Sequence, residues 1–135
     1  MLLYMREVNV MGVENNVFFW QKLDTMIMSG NYEKKFNKNE QHKKYPNLIY
    51  PLEFGYISSE MGDSKTACYK GSSGDECNSI IVSADILDGI CIVQLLIGVS
   101  EKEEEDILIF LNQTQFQKTI LVRRSNHIPS WSIEN

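Results

Sequence analysis

Long hydrophobic runs are missing from this chain of 135 residues. No apolar stretch approaches the roughly 18–20 residues that a bilayer span needs. The opening MLLYM is too short for a signal h-region, and no small-residue cleavage site follows it. A cytoplasmic protein with no membrane partner is the expectation. Cysteine is scarce as well: Cys68, Cys77 and Cys91 are odd in number, form no C-x-x-C pair and have no histidine near them in sequence. That pattern excludes a disulfide framework and a simple zinc site, and leaves buried or half-buried thiols. The two histidines, His42 and His127, lie far apart and are assigned neither a catalytic nor a metal role. Positive charge is the minority sign, with 13 Lys and Arg against 18 Asp and Glu. An acidic chain without a basic stripe is a poor candidate for nonspecific nucleic-acid binding.

The length suits one domain over residues 1–135, with 1–14 and 125–135 as peripheral segments. Of the net charge of −5, the run EKEEED at 101–106 contributes five acids and one lysine, or −4, which leaves −1 for the rest. Carboxylates there suit a solvated helix start, because they favour the positive end of the helix dipole. The counter-pole is a local patch of Lys34, Lys35, Lys38, His42, Lys43 and Lys44 within a polar, exposed segment.

The spacing of Val17, Trp20, Leu23 and Ile27 predicts an amphipathic helix over 15–30, capped by Asn15 or Asn16 and ended by Gly30. Residues 1–12 read as strand-like or loosely ordered. A short strand is expected around Tyr32 to Phe36. LIYPLEFGYI is aromatic and β-branched but broken by Pro51, which suits an edge or a bend. Further strands are expected at 66–70, 79–86, 90–99 and 118–124, with LDG as a hairpin connector between two of them. Ser100 followed by Glu103 is a capping box, opening a helix whose inner face carries Ile107, Phe110 and Leu111. Arg123 and Arg124, adjacent on a strand, must point to opposite faces. The class is α+β, with a helix near each end and a small barrel as one way to close the strands.

The stretch YPNLIYPLEFGYI at 45–57 resembles the Y-P-x-x-[YF]-G-Y segment of the soluble family I inorganic pyrophosphatases, in particular their short bacterial branch. FFWQKLD, SADI, LLIGVSEKEEEDI and ILVRR follow in the family's order and spacing, so the resemblance covers about residues 17–124. It implies a five-stranded OB-type barrel with flanking helices, and a cavity in which Mg²⁺ ions bridge pyrophosphate and activate a water. Pyrophosphate is a polyanion, so hydroxide attack on it requires cations to neutralise the charge. Hard Mg²⁺ in turn requires clustered carboxylates.

In this chain the cluster is depleted. The family's D-x-D-x-x-D falls on Gly62, Ser64 and Ala67 in the gapless register, with Asp63 one residue from the first position. A register with an 11-residue insertion would place Ser73, Asp75 and Asn78 there. Asp85 matches an acidic ligand, whereas a second acid and a lysine are replaced by Ile90 and Ile92. Phe54 stands where the family has a tyrosine, and Lys35 aligns with an acid. The resemblance therefore implies a degenerate member with Mg²⁺-dependent diphosphate hydrolysis lost or weakened, keeping a binding role toward a small phosphate compound or a protein. Lys38, Lys44, Phe54 and Tyr56 are its candidate phosphate-site residues, and Asp63 and Asp85 its remaining metal candidates. Two other readings stand beside it. One is an active diphosphatase with a site rebuilt from Glu53, Asp63, Asp75, Asp85 and Asp88. The other is a protein-interaction module, which exposed Phe18, Phe19, Trp20 or Trp131 would favour. The oligomeric state stays open, a homo-oligomer included.

Overall fold

Asn16 decides where the first helix begins. Its side chain accepts hydrogen bonds from the backbone N–H groups of Phe18 and Phe19 at 3.0 and 3.1 Å, which would otherwise have no partner inside the helix. In a computed structural model of the chain, which describes residues 15–59, 64–85, 89–112 and 117–125, this helix, α1, spans Val17–Ser29 and ends at Gly30. It is followed by strands β1 (Asn31–Phe36), β2 (Glu53–Ser58), β3 (Lys65–Lys70), β4 (Cys77–Asp85) and β5 (Ile90–Ile97). Helix α2 (Glu101–Leu111) and strand β6 (Gln117–Arg123) complete the order. The capping box at the start of α2 is formed in both directions between Ser100 and Glu103. No helix among the described residues is long and apolar enough to cross a membrane.

The strands form a six-stranded sheet in the order β1-β2-β3-β5-β4-β6. All neighbours are antiparallel except β3 and β5, which pair in parallel through Cys68, Tyr69 and Lys70 with Leu95, Leu96 and Ile97. The α+β class is as expected. The sheet itself has six strands where five were expected, and among the described residues it is open, with β1 and β6 as its edges. β4 and β5 form the expected hairpin, with Asp85 opposite Ile90. The predicted strand-like start at 1–12 lies outside the described residues, as do Asp63, Asp88, His127 and Trp131; Asp85 is placed by its backbone alone.

Both faces of the sheet are covered, which the period-two alternation of the strands dictates. On one face Ile57, Cys68, Ile80, Val82, Leu95 and Ile97 pack around Trp20 of α1. On the other, Leu52, Phe54, Tyr69, Ile81 and Leu96 pack against Ile107 and Leu111 of α2 and against Tyr50 from the long β1–β2 connection. Arg123, the last residue of β6, and Arg124 just after it follow the same rule. Arg124 reaches Asp24 on α1 with two bonds of 2.9 and 2.6 Å, and Arg123 reaches Glu104 on α2 at 2.8 Å. Each helix is thereby tied to β6 by one ion pair from its own face.

Strand β1 breaks that alternation. Lys34 sits opposite Gly55 and Phe36 opposite Phe54, so Lys35 is an extra residue without an opposite number. A bulge of this kind reverses the alternation beyond it. It turns Phe36 onto the α2 side of the sheet, while Tyr32 packs on the α1 side.

Candidate functional site

Residues 31–47 were expected to be an exposed polar segment, and most of them are exposed. They are nonetheless held to a definite path. Asn39 N–H donates to Tyr50 O, Tyr50 N–H to Glu40 O, His42 N–H to Leu48 O and Leu48 N–H to Tyr45 O, all between 2.7 and 2.9 Å. At the tip, Nδ1 of His42 accepts from the backbone N–H groups of Lys44 and Tyr45 at 3.1 and 3.2 Å. That fixes the imidazole with its donor nitrogen, Nε2, directed away from the turn. The segment borders an open cavity of about 700 Å³ on the α2 side of the sheet.

The walls of this cavity are aromatic. Phe36, Tyr45, Tyr50, Phe54, Tyr56, Tyr69 and Phe110 line it, together with His42, Lys35, Lys43, Gln94 and two leucines. Phe36 and Tyr50 stack face to face, 4.2 Å between ring centres and 14° from parallel. His42 lies within 16° of both planes, at 6.0 and 6.1 Å. Tyr69 closes against Phe54 at 4.8 Å, and Phe110 of α2 leans on Tyr50 at 5.1 Å. Tyr50, Phe54 and Tyr69 are buried, whereas Lys35, Lys43 and Tyr45 are exposed at the rim. Burial raises the phenol pKa of Tyr50 and of Tyr69, with neighbouring tyrosines adding to it. Both hydroxyls therefore stay protonated near neutral pH and serve as donors rather than as bases.

Among the described lining residues, Gln94 contributes the one side-chain amide. It stands on β5 opposite Ile81, amid the apolar run ICIVQLLI, and its Oε1 is buried with no hydrogen-bond partner among the described residues. A buried polar atom without a partner is uncommon, because it carries the full desolvation cost of the group. Lys35 has one competing contact, 3.4 Å from Glu33, in an exposed pair of the kind that contributes little.

The predicted site residues divide into three groups. Phe54 and Tyr56, two apart on β2, are brought together in the cavity. Lys38 and Lys44 are exposed and lie on the same connection but do not line it; the lysines that do are Lys35 and Lys43. Lys44 instead stands 5.7 Å from the ring centre of Tyr45. Asp63 and the side chain of Asp85 fall outside the described residues. Glu53, which the rebuilt-site reading would bring to the cavity, is not among the residues that line it. It accepts from the Tyr32 hydroxyl at 2.7 Å on the opposite, α1 side. Its ladder partner Lys70 has Nζ 3.9 Å from the centre of the Tyr32 ring. Of the aromatics whose exposure would mark a partner surface, Phe18 is exposed at 43%, Phe19 is half-buried and Trp20 is fully buried.

The lining offers phenols, an imidazole, an amide and two ammonium groups, and no carboxylate among the described residues. Nor is any group of three His, Cys, Asp or Glu placed to hold a metal ion among them. A hard divalent cation requires anionic or strongly polar oxygens at about 2.0–2.6 Å. The described donor set does not fit Mg²⁺.

Sequence reasoning missed His42, Tyr50, Tyr69 and Phe110 as members of one site. A signal for Gln94 was present: a lone amide in the middle of an eight-residue apolar strand. Comparison with family models, with curated proteins and with solved structures finds no match to this chain.

Proposed function

We propose that the chain is an inorganic-pyrophosphatase-like protein that binds a phosphate compound and hydrolyses diphosphate weakly or not at all. The observation that carries this reading is the lining of the cavity. LIYPLEFGY supplies Leu48, Tyr50, Phe54 and Tyr56 to one wall, and the rim adds the ammonium groups of Lys35 and Lys43, of which Lys35 also meets the exposed Glu33 carboxylate at 3.4 Å. Lysine offers phosphate a compact positive charge and three donors. The tyrosine hydroxyls offer neutral donors that anionic oxygens accept.

Support for the barrel that the resemblance implies is topological. The strands β1 to β5 are contiguous in the sheet, in the order β1-β2-β3-β5-β4, with β6 appended beyond β4. Five contiguous strands, with a cavity on one side, are compatible with a partly open OB-type barrel.

Two measurements on purified protein test the reading together. Phosphate release from inorganic pyrophosphate with millimolar Mg²⁺ is expected to stay at background. Calorimetric titration with pyrophosphate in chelator is expected to show binding that weakens when Lys35 and Lys43 are replaced by alanine. Turnover at ordinary enzyme rates, about 1–10³ s⁻¹, would overturn it.

A further inference from the structure

The cavity is built for more than a phosphate group. An inorganic anion needs charge and donors, and it gains nothing from seven aromatic side chains. Three chemistries make use of aromatic walls. A quaternary ammonium would be drawn to the ring faces, but Lys35 and Lys43 at the rim repel a cation. An aliphatic chain would leave the Gln94 amide and the tyrosine hydroxyls facing hydrocarbon, at the full cost of unpaired polar groups. A flat heteroaromatic ring satisfies the rings, the amide and the lysines at once.

We propose that the cavity is a pocket for a nucleoside phosphate whose base carries an exocyclic amino group. The base lies against the near-parallel set of Phe36, Tyr50 and His42, whose planes agree within 16°. Its amino group donates to Gln94 Oε1, the buried acceptor that has no partner among the described residues. Its phosphates reach the rim, where Lys35 and Lys43 stand. A volume of about 700 Å³ is in the range of pockets that enclose molecules of this size. The inference rests on the phosphate-binding reading and adds the base to it.

The test is a set of calorimetric titrations of the intact protein in chelator, with adenosine diphosphate, inosine diphosphate and inorganic pyrophosphate. Adenosine diphosphate is expected to bind about 5- to 150-fold more tightly than pyrophosphate, the gain that one base–aromatic stack supplies. It is expected to bind up to about tenfold more tightly than inosine diphosphate, which presents a carbonyl in place of the amino group. Gln94→Leu is expected to erase that second preference while leaving pyrophosphate binding as it was. Lys35→Ala and Lys43→Ala, both at exposed positions, are expected to weaken both diphosphates and pyrophosphate alike, more so at low salt. If pyrophosphate binds in a lysine-dependent way and the adenine adds nothing, the nucleotide inference falls and the phosphate-binding reading stands. If neither pyrophosphate nor adenosine diphosphate binds, both fall. An adenine preference that survives Gln94→Leu unchanged would overturn the assigned role of the amide.

Discussion

Tyr32 and Phe36 are four residues apart on one strand and lie on opposite faces of the sheet. Strict alternation would put them on the same face. Tyr32 packs beside Trp20 and Ile57 on the α1 side, and Phe36 stacks on Tyr50 on the α2 side. The difference is the single extra residue at Lys35. Deleting Lys35 is therefore expected to regularise the ladder, with Lys34 still opposite Gly55 and Phe36 still opposite Phe54. The fold should survive at a loss of about 1–2 kcal/mol. Deleting Ala67 from β3, which pairs with β2 without a bulge, would instead flip every later side chain of that strand. Urea denaturation of the two deletions checks this. Equal damage from both would contradict the account of the bulge.

Gly55 is the glycine of the YPLEFGY stretch, and its reason is contact. A Cβ built there would lie 2.6 Å from Cε1 of Tyr32 and against the backbone carbonyl oxygen of Glu33. Gly55→Ala is expected to destabilise by about 1–3 kcal/mol through overpacking. Combining it with Tyr32→Leu should relieve only part of that penalty, because the Glu33 carbonyl belongs to the adjacent strand and cannot move aside. Thermal melts of the two singles and the double separate these contributions.

The elements whose local chemistry is strong were legible in the sequence. Asn16 and the Ser100–Glu103 box start helices by accepting from backbone N–H groups that need partners, and Gly30 ends α1 with its own N–H donating to the Met26 carbonyl oxygen. The apolar runs around Ile81 and Leu95 are strands because their side chains fill both faces of a covered sheet. The opposite directions of Arg123 and Arg124 followed from alternation alone. The cavity was half legible: Phe54 and Tyr56 were candidates through the resemblance, and both line it. Phe36 was hidden by a bulge that no local pattern announces. Tyr50 and His42 were hidden because the path of the connection is set by its own long-range hydrogen bonds. Which lysine lines the cavity also depended on that path, so Lys35 and Lys43 line it instead of Lys38 and Lys44.

The pairing of Arg124 with Asp24 makes stability depend on pH in a stated direction. The hydrogen bonds and charge of Arg124 hold the Asp24 carboxyl below its ordinary value, against a smaller opposing effect of burial. For Glu103, burial pushes upward, and hydrogen bonds from Ser100 and Ser72 outweigh it, so its value is lowered too. A carboxyl lowered by folding binds fewer protons in the native state than in the unfolded one. Its contribution is present above the unfolded value of about 4 and is lost as pH falls through the native value. Thermal melts between pH 6 and pH 2 are expected to show wild type losing stability below about pH 4. Asp24→Asn should lose less over the same interval, so the two curves converge at low pH. Curves that stay parallel down to pH 2 would remove the pair from the account.

Thiol labelling reports on the α1 side of the sheet. Cys68 and Cys77 are buried there beside Trp20, and Cys91 is exposed near the β4–β5 hairpin. Burial pushes the Cys68 thiol up to about 12 and the Cys77 thiol up to about 11, so neither supplies thiolate near neutral pH. Iodoacetamide at pH 8 is expected to add one adduct, at Cys91, while the protein stays folded, and three in denaturant. Labelling of Cys77 should then require that α1 lift from the sheet. Arg124→Met removes both the Asp24 pair and the 3.1 Å bond from Arg124 to the Cys77 carbonyl oxygen. That variant is expected to speed Cys77 labelling more than it speeds Cys91 labelling, as read by peptide mass spectrometry over time. Equal acceleration at both cysteines would mean that the ion pair does not hold α1 in place.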